Sequence, residues 1–387
     1  MTKKYNTNCK DDVTKKQTLL MRFTPLVFLL VLFCFFSVLF SCSHDNLEEK
    51  KDPTTENPKP DEEPKNPDTP STPENNAGLK DLISKEQFLV LFPYRYGAEQ
   101  SNNWIVNPSK DFYTYDALMK AVDLMADLKV VIERKGWFQK ITRIKKSTNE
   151  TKVIKEDADF SASWNNNTVV RQEVDYADFI SIGSLEVRKR ELAAFLANIS
   201  HETTGGWSTA PGGAYSWGLY FREEVGYDEN STTGYREENN VDYPPVAKKS
   251  YHGRGPIQLS WNYNYGQISE FLYGDKNVLL KNPENVVKDA ALAFQTAIWF
   301  WMTPQAPKPS CHAVMVGQWL PTQQDINEGR KPGFGATINI INGALECNKA
   351  DSDKTQSRRG FYQRYLTVLN TSDPNCECQC DKMQPFK

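Results

Sequence analysis

The chain has no surplus of basic charge. Lys and Arg number 46 against 49 Asp and Glu, a net charge of −3 over 387 residues. Binding to nucleic acid needs a concentrated basic surface, so that class of partner is not expected. No tandem repeat is visible, which sets solenoids and propellers aside. Strand signals are few and short. The apolar run from Pro25 to Phe40 falls short of the roughly 20 residues a stable membrane span needs. From Ser43 to about Asn76 large apolar residues are almost missing, while Pro53, Pro58, Pro60, Pro64, Pro67, Pro70 and Pro73 alternate with polar residues. Such a stretch cannot bury a core. We expect residues 43–78 to form a disordered, semi-rigid tether.

The N-terminal apolar run follows Met21-Arg22 and ends in Leu39-Phe40-Ser41-Cys42. A basic residue before a short apolar run reads as a signal peptide, here residues 1–42. The last four residues resemble a bacterial lipoprotein cleavage box, although Phe40 is bulkier than usual at its position. Cys42 would then be the lipidated first residue of the mature protein. Met21 would serve as a better start than Met1. The plain alternative is an uncleaved anchor. Both readings place the protein outside the cytoplasm, held to the outer membrane or cell surface. Asp45, Glu48 and Glu49 resemble export signals of surface-exposed lipoproteins.

The folded part is expected from Leu79 to the end, mainly α, with irregular Gly- and Tyr-rich connections. Ser84 with Gln87 gives a capping box before Phe88, Leu91 and Phe92, and Pro93 stops that helix. A second helix carries Leu118, Ala121, Val122 and Met125 on one side. Residues 137–176 lose the helical period and read as an inserted hairpin or long loop, with Thr168-Val169-Val170 strand-like. A further helix is expected over 286–302, closed by Pro304.

The stretch Glu191–Trp207 organises the rest. Leu192, Phe195, Leu196 and Ile199 share one helix face, and Glu202 lands at that face's edge just before Thr203, Thr204, Gly205 and Gly206 end the helix. Desolvation and the helix dipole would both disfavour its ionised form, as a general acid requires. A plain surface Glu near a helix end is the alternative. Glu223-Glu224 offers a second carboxylate, and two carboxylates in unlike environments are the minimum for acid/base cleavage of a glycosidic bond. Residues 251–266, YHGRGPIQLSWNYNYG, then pack amides, hydroxyls and aromatic rings into one Gly-bounded run. Amides suit the hydroxyl edges of sugars and rings suit their C–H faces.

HETTGGW at 201–207, YHGRGPIQLSWNYNYG at 251–266, TAIWFWMTPQAPKPSCHAV at 296–314 and PGFGATINIINGALEC at 332–347 resemble glycoside hydrolase family 19 chitinases, in family order and spacing. The likeness runs from about Glu86 to Phe386, interrupted by 137–176. It implies a two-lobed, lysozyme-like helical fold with a central substrate cleft and a few short strands. It also implies internal cleavage of β-1,4-linked N-acetylglucosamine polymers with inversion, without metal or organic cofactor, by a monomer.

The resemblance makes Glu202 the general acid, Glu224 the general base and Ser260 the partner that helps hold the attacking water. It makes His201, Thr204, Gln258, Tyr263, Asn264, Lys308, Asn342 and Arg358 substrate contacts, with Arg358 also in a charge network with Glu346. Glu223 stands where the family has another polar residue. Only one of two adjacent side chains can face the cleft, so Glu223 is expected to matter less. Tyr220 replaces a Cys of plant members, and Trp261 a frequent His. The resemblance pairs Cys347 with Cys380 and leaves Cys311 a buried free thiol. Cys376, Cys378 and Cys380 with Cys347 as metal ligands is the alternative. Two further functions are weighed: the same chemistry on peptidoglycan, and a glycan-binding surface protein without catalysis. The NYNYG and NIING motifs argue against the first, and the presence of both Glu202 and Glu224 against the second.

Overall fold

The computed structural model describes residues 78–96 and 110–386. The expected signal peptide, Cys42 and most of the tether lie outside them. The helices α1 (Leu79–Leu82), α2 (Lys85–Leu91) and α3 (Tyr115–Ala126) lead into four strands, β1 (Leu128–Lys135), β2 (Phe138–Lys145), β3 (Glu150–Glu156) and β4 (Val170–Asp175). There follow α4 (Leu185–Glu202), α5 (Asn262–Tyr273), α6 (Asn277–Lys281), α7 (Ala290–Met302), α8 (Cys311–Met315), α9 (Gln323–Asn327), α10 (Phe334–Glu346) and α11 (Asp353–Val368). The fold is mostly helical, with one small antiparallel sheet.

Local chemistry sets several boundaries as expected. Ser84 and Gln87 exchange both bonds of a capping box at the start of α2. In α3 the side chains of Leu118, Ala121 and Met125 are buried. The helix expected from residue 286 begins at Ala290 instead, because the Asp289 carboxylate accepts from the amides of Ala291 and Leu292 and caps it there.

The expected hairpin or long loop at 137–176 is part of a larger antiparallel sheet. The sheet begins earlier, at Leu128, with strand order β3-β2-β1-β4, all antiparallel. Leu128, Val130 and Ile132 alternate inward into the core, joined by Val174 from β4. The alternation starts directly after a helix with no Gly or Pro between, so the boundary carries no local punctuation. Arg143 clamps the sheet to α5, donating from Nε to the Phe271 carbonyl at 2.6 Å and from Nη2 to that of Leu272 at 3.2 Å. Lys152 Nζ donates to the Gly274 carbonyl at 2.5 Å. These cations meet the carbonyl end of α5, where the helix dipole favours them.

Helix α4 runs through the core. It was expected to bury one stripe, but every residue from Glu191 to Ser200 is buried. Ala193, Ala194 and Ala197 fill its other faces, and their small side chains let α11 pack closely against it. One buried acid in it, Glu191, pairs with His312 at 2.7 Å and accepts from the Trp301 indole at 3.0 Å. Burial lowers the affinity of His312 for a proton, but the Glu191 charge outweighs it and raises the imidazole above its ordinary value.

Candidate active site

Glu202 is the last residue of α4, and Thr203 caps the helix. The fully buried Thr203 joins this end to the segment carrying the second carboxylate. Its hydroxyl donates to the Ile199 carbonyl (2.7 Å) and accepts from the Leu219 amide (2.9 Å). Its carbonyl accepts from the amides of Tyr220 and Phe221 at 3.1 and 2.9 Å. Gly218 lies against α4 so closely that a Cβ there would stand 2.5 Å from Ser200 Oγ. Glu224 follows Leu219 by five positions, so this pin limits where Glu224 stands relative to Glu202.

The Glu202 carboxyl is 19% exposed, and its Oε1 accepts from Arg358 Nη2 at 2.5 Å. Its neighbour is therefore a cation, not the apolar surface that the helical periodicity suggested. Arg358 is fully buried on α11. It also grips Glu346 with two bonds, Nε to Oε2 at 2.9 Å and Nη2 to Oε1 at 2.8 Å, and reaches Asn198 Oδ1 at 3.1 Å. Burial pushes the Glu346 carboxyl up, but Arg358 and then Asn342 outweigh it and hold it below the usual range. Glu202 and Glu346 in turn hold the guanidinium protonated against its burial. Asn342 donates to Glu346 at 2.7 Å from a non-helical kink in α10, and Lys308 donates nearby to the Ile340 carbonyl at 3.1 Å. His201 contacts Ser357 Oγ at 3.0 Å, and burial followed by the Arg358 charge pushes its imidazole down to about 3. The Thr204 hydroxyl accepts from the Gly206 amide and shapes the turn after the helix.

Glu224 is held differently. Its Oε1 accepts from the Tyr235 hydroxyl at 2.7 Å and its Oε2 from the Gly253 amide at 3.1 Å. Burial and the Glu224 carboxylate keep the Tyr235 phenol firmly protonated. Gly253 packs closely against the Gln258 side chain, whose Oε1 would lie 2.7 Å from a Cβ there and would have to shift. Around Glu224, Tyr235 (φ 51°), Gln258 (φ 50°) and Trp261 (φ 75°) adopt left-handed backbone, strain of the kind that clusters at functional sites. The Ser260 hydroxyl donates to the Gln258 carbonyl at 2.9 Å, and the Asn264 amide to that of Ser260 at 2.8 Å. Trp261, 40% exposed, stacks with Tyr263 and meets Tyr235 edge-on.

Glu223 turns away from Glu224 and is buried. Its Oε2 lies 3.0 Å from His252 Nε2 and 3.4 Å from Arg254 Nε, and its backbone bridges to Arg254. It anchors the 250–261 segment. Sequence reasoning found neither this pair nor Tyr235 and Thr203. Tyr235 sits in a polar loop with no periodicity to mark it, and Thr203 looked like any helix-ending residue. The structure thus gathers Glu202, His201, Asn342 and Arg358 on one side, with Lys308 beside the α10 kink, and Glu224, Gln258, Ser260, Tyr263 and Asn264 on the other. At the chain end Cys347 and Cys380 form a disulfide with a Cα separation of 5.0 Å, Cys376 is joined to Cys378, and Cys311 is a buried free thiol.

One carboxyl backed by a buried cation and one held by a phenol and an amide give this helical chain the pair of acids that carbohydrate-cleaving hydrolases use. A cation beside a carboxyl favours its ionised form, so Arg358 acts on Glu202 opposite to the expectation drawn from the apolar helix face. The profile of the family described as chitinase class I matches residues 144–378. Chitinase 10 of Oryza sativa subsp. japonica is 49% identical over 218 residues, 56% of this chain and 72% of its own length. Inactive chitinase-like protein 1 of Hevea brasiliensis is 52% identical over 191 residues, 49% of this chain and 58% of its own length. The solved chitinase C from Streptomyces griseus HUT6037 superposes with a TM-score of 0.47 at 29% identity, over 77% of this chain and 80% of that one. The chain belongs to glycoside hydrolase family 19, the class I chitinases.

Proposed function

We propose that this protein hydrolyses β-1,4-N-acetylglucosamine linkages inside chitin chains by a single, inverting displacement. The observation that supports this reading is that Glu202 and Glu224 stand on two elements that Thr203 joins, one beside Arg358 and the other beside Tyr235. Glu202 gives its proton to the leaving oxygen. The carboxylate left behind meets Arg358, which stabilises charge where it develops. Glu224, acceptor of two fixed donors, turns its remaining lone pairs to a water and takes that water's proton. Ser260 lies in the adjoining turn and assists in holding the water. Gln258, Tyr263 and Asn264 offer amide and ring surfaces for the sugar, with Lys308 and Asn342 opposite.

Proton NMR of the first products from chitohexaose tests the mechanism. The α-anomer is expected, because water arrives on the face opposite the leaving group; the β-anomer first would overturn it. Reducing-end release from chitin and peptidoglycan side by side tests the substrate, with chitin expected to dominate. The likeness to a relative named inactive favours a second reading, a glycan-binding protein without turnover. Wild-type hydrolysis no faster than that of Glu202→Gln would support it.

The sequence before the described residues supports a surface lipoprotein anchored through Cys42, with 43–78 as its tether and a monomeric domain beyond. Cys42→Ala should release the protein from membranes or block its processing; unchanged retention and processing would sink that reading.

A further inference from the structure

The sheet ends in an aromatic tip that the carboxylate site does not use. β1 and β2 are joined by the two-residue turn Gly136-Trp137, with Lys135 paired to Phe138 across it. Trp137 is 98% exposed and Trp164 is 60% exposed. The Phe138 ring, first in β2, meets Trp164 edge-on at 5.7 Å, so the loop after β3 lies against the strand end next to the turn.

That loop is built, not slack. The Gln139 amide donates to Asp157 Oδ2 at 2.7 Å, and the Asp157 amide donates back to the Gln139 carbonyl at 2.9 Å. Phe160 is buried beneath the Lys135 ammonium, 5.4 Å from its ring centre. Buried Asn165 donates to the Asp159 carbonyl at 2.9 Å and accepts from Asn167 at 3.0 Å, and Asn167 packs over Gly136. This bonded framework sets Trp164 against Phe138, with Trp137 exposed in the adjoining turn and Asn166 and Asn167 exposed beside Trp164. Single exposed apolar side chains are ordinary, whereas exposed indoles gathered at one sheet end with amides beside them suit recognition.

Charge selects the occupant. The acids and bases around the tip neutralise one another, Lys140 with Glu156 at 3.6 Å and Lys155 with Asp157 at 3.7 Å. With Lys135 set over the Phe160 ring, no cluster of cations among the described residues stands at the tip for a nucleic acid or an anionic membrane. A neutral chain with C–H faces for indoles and acetamido edges for amides fits. We infer that the sheet tip is a second binding surface for the same N-acetylglucosamine polymer, an inference that rests on the function proposed above. The tip stands about 17 Å along β2 from Arg143, taking ~3.3 Å per residue. Arg143 in turn grips the far end of α5, whose first turn carries Tyr263 and Asn264. Tip and site are thus rigidly spaced, and a long chain held at the tip raises the local concentration of linkages at the carboxylates.

The test compares the full chain with Trp137→Ala/Trp164→Ala, checking folding by thermal unfolding. Retention on insoluble chitin in the cold is expected to fall about tenfold or more, with hydrolysis of that solid falling alongside, while turnover of soluble chitotetraose stays unchanged. Trp137→Tyr/Trp164→Tyr should restore most of the retention, since a ring face remains. Undiminished retention of the alanine variant would overturn the inference. So would loss of sedimentation with phosphatidylglycerol vesicles alone, which would assign the tip to a lipid surface. A wild-type protein inert on chitotetraose would instead sink the proposed function, so the two failures are distinguishable.

Discussion

Arg358 Nη2 donates to Glu202 Oε1 at 2.5 Å while the same guanidinium holds the buried Glu346 with two bonds. The acid thus shares its cation with a second carboxylate that never leaves the core. In the proposed mechanism Glu346 keeps Arg358 in place as Glu202 gives up its proton.

Glu202→Gln should lower kcat by several orders of magnitude while chitooligosaccharide binding survives, since shape is kept and the proton is lost. Arg358→Lys keeps one charge but cannot fork. It should lower kcat more than it changes KM, and lower the melting temperature as well. Arg358→Met strands buried Glu346 and should cost about 3–5 kcal/mol in denaturant unfolding. An Arg358→Lys enzyme with unchanged kcat would mean the cation plays no part in the chemistry.

Glu224→Gln and Glu223→Gln separate two neighbours. The first should abolish most turnover at nearly unchanged stability. The second leaves Arg254, 2% exposed, without its anion, and should destabilise by about 3–5 kcal/mol. Glu223 therefore matters through folding, which facing away from the cleft did not by itself suggest. Calorimetry and steady-state rates on both variants check the split, and a stable Glu223→Gln protein would contradict it.

Thr203→Val keeps the shape but leaves the buried Leu219 amide without its acceptor. The expected loss is about 1–3 kcal/mol of stability. A fall in kcat should accompany it as Glu224 drifts from Glu202, and Thr203→Ser should recover both. Rates for Thr203→Val equal to wild type would show that the pin does not set the spacing.

His201 is held neutral, its imidazole pushed down to about 3 by burial and then by Arg358. The unfolded chain takes up a proton near pH 6.5, where the folded one does not. Its contribution is therefore full above about pH 6.5 and is lost as the pH falls toward 3. His201→Asn should flatten the acid limb of the stability profile over that window. A profile as steep as wild type would refute the assignment.

Much of the helical scaffold was legible because its signals are local. Ser84 with Gln87 caps α2, and Thr203 ends α4 where the apolar period stops. The sheet was less legible: β1 follows α3 without punctuation, Arg143 is the only buried residue of β2, β3 buries none, and both strands carry many charged residues. Of the site, Glu202 and Glu224 could be named from motifs in register. Tyr235 could not, since nothing in its surroundings marks a loop tyrosine as a donor to a residue 11 positions away.

By itself the sequence determined the family and the helical character, because motifs in register and short-range period carry them. The two carboxylates and the Cys347–Cys380 pair came through the family resemblance, and the fold joins those two cysteines across 33 residues. The tertiary structure alone decided what surrounds those carboxylates. Arg358 reaches Glu202 across 156 residues and His252 reaches Glu223 across 29. Burial, charge and hydrogen bonding at a carboxyl are set by whichever groups the packed chain brings within about 3 Å of it, and no local pattern encodes that distance.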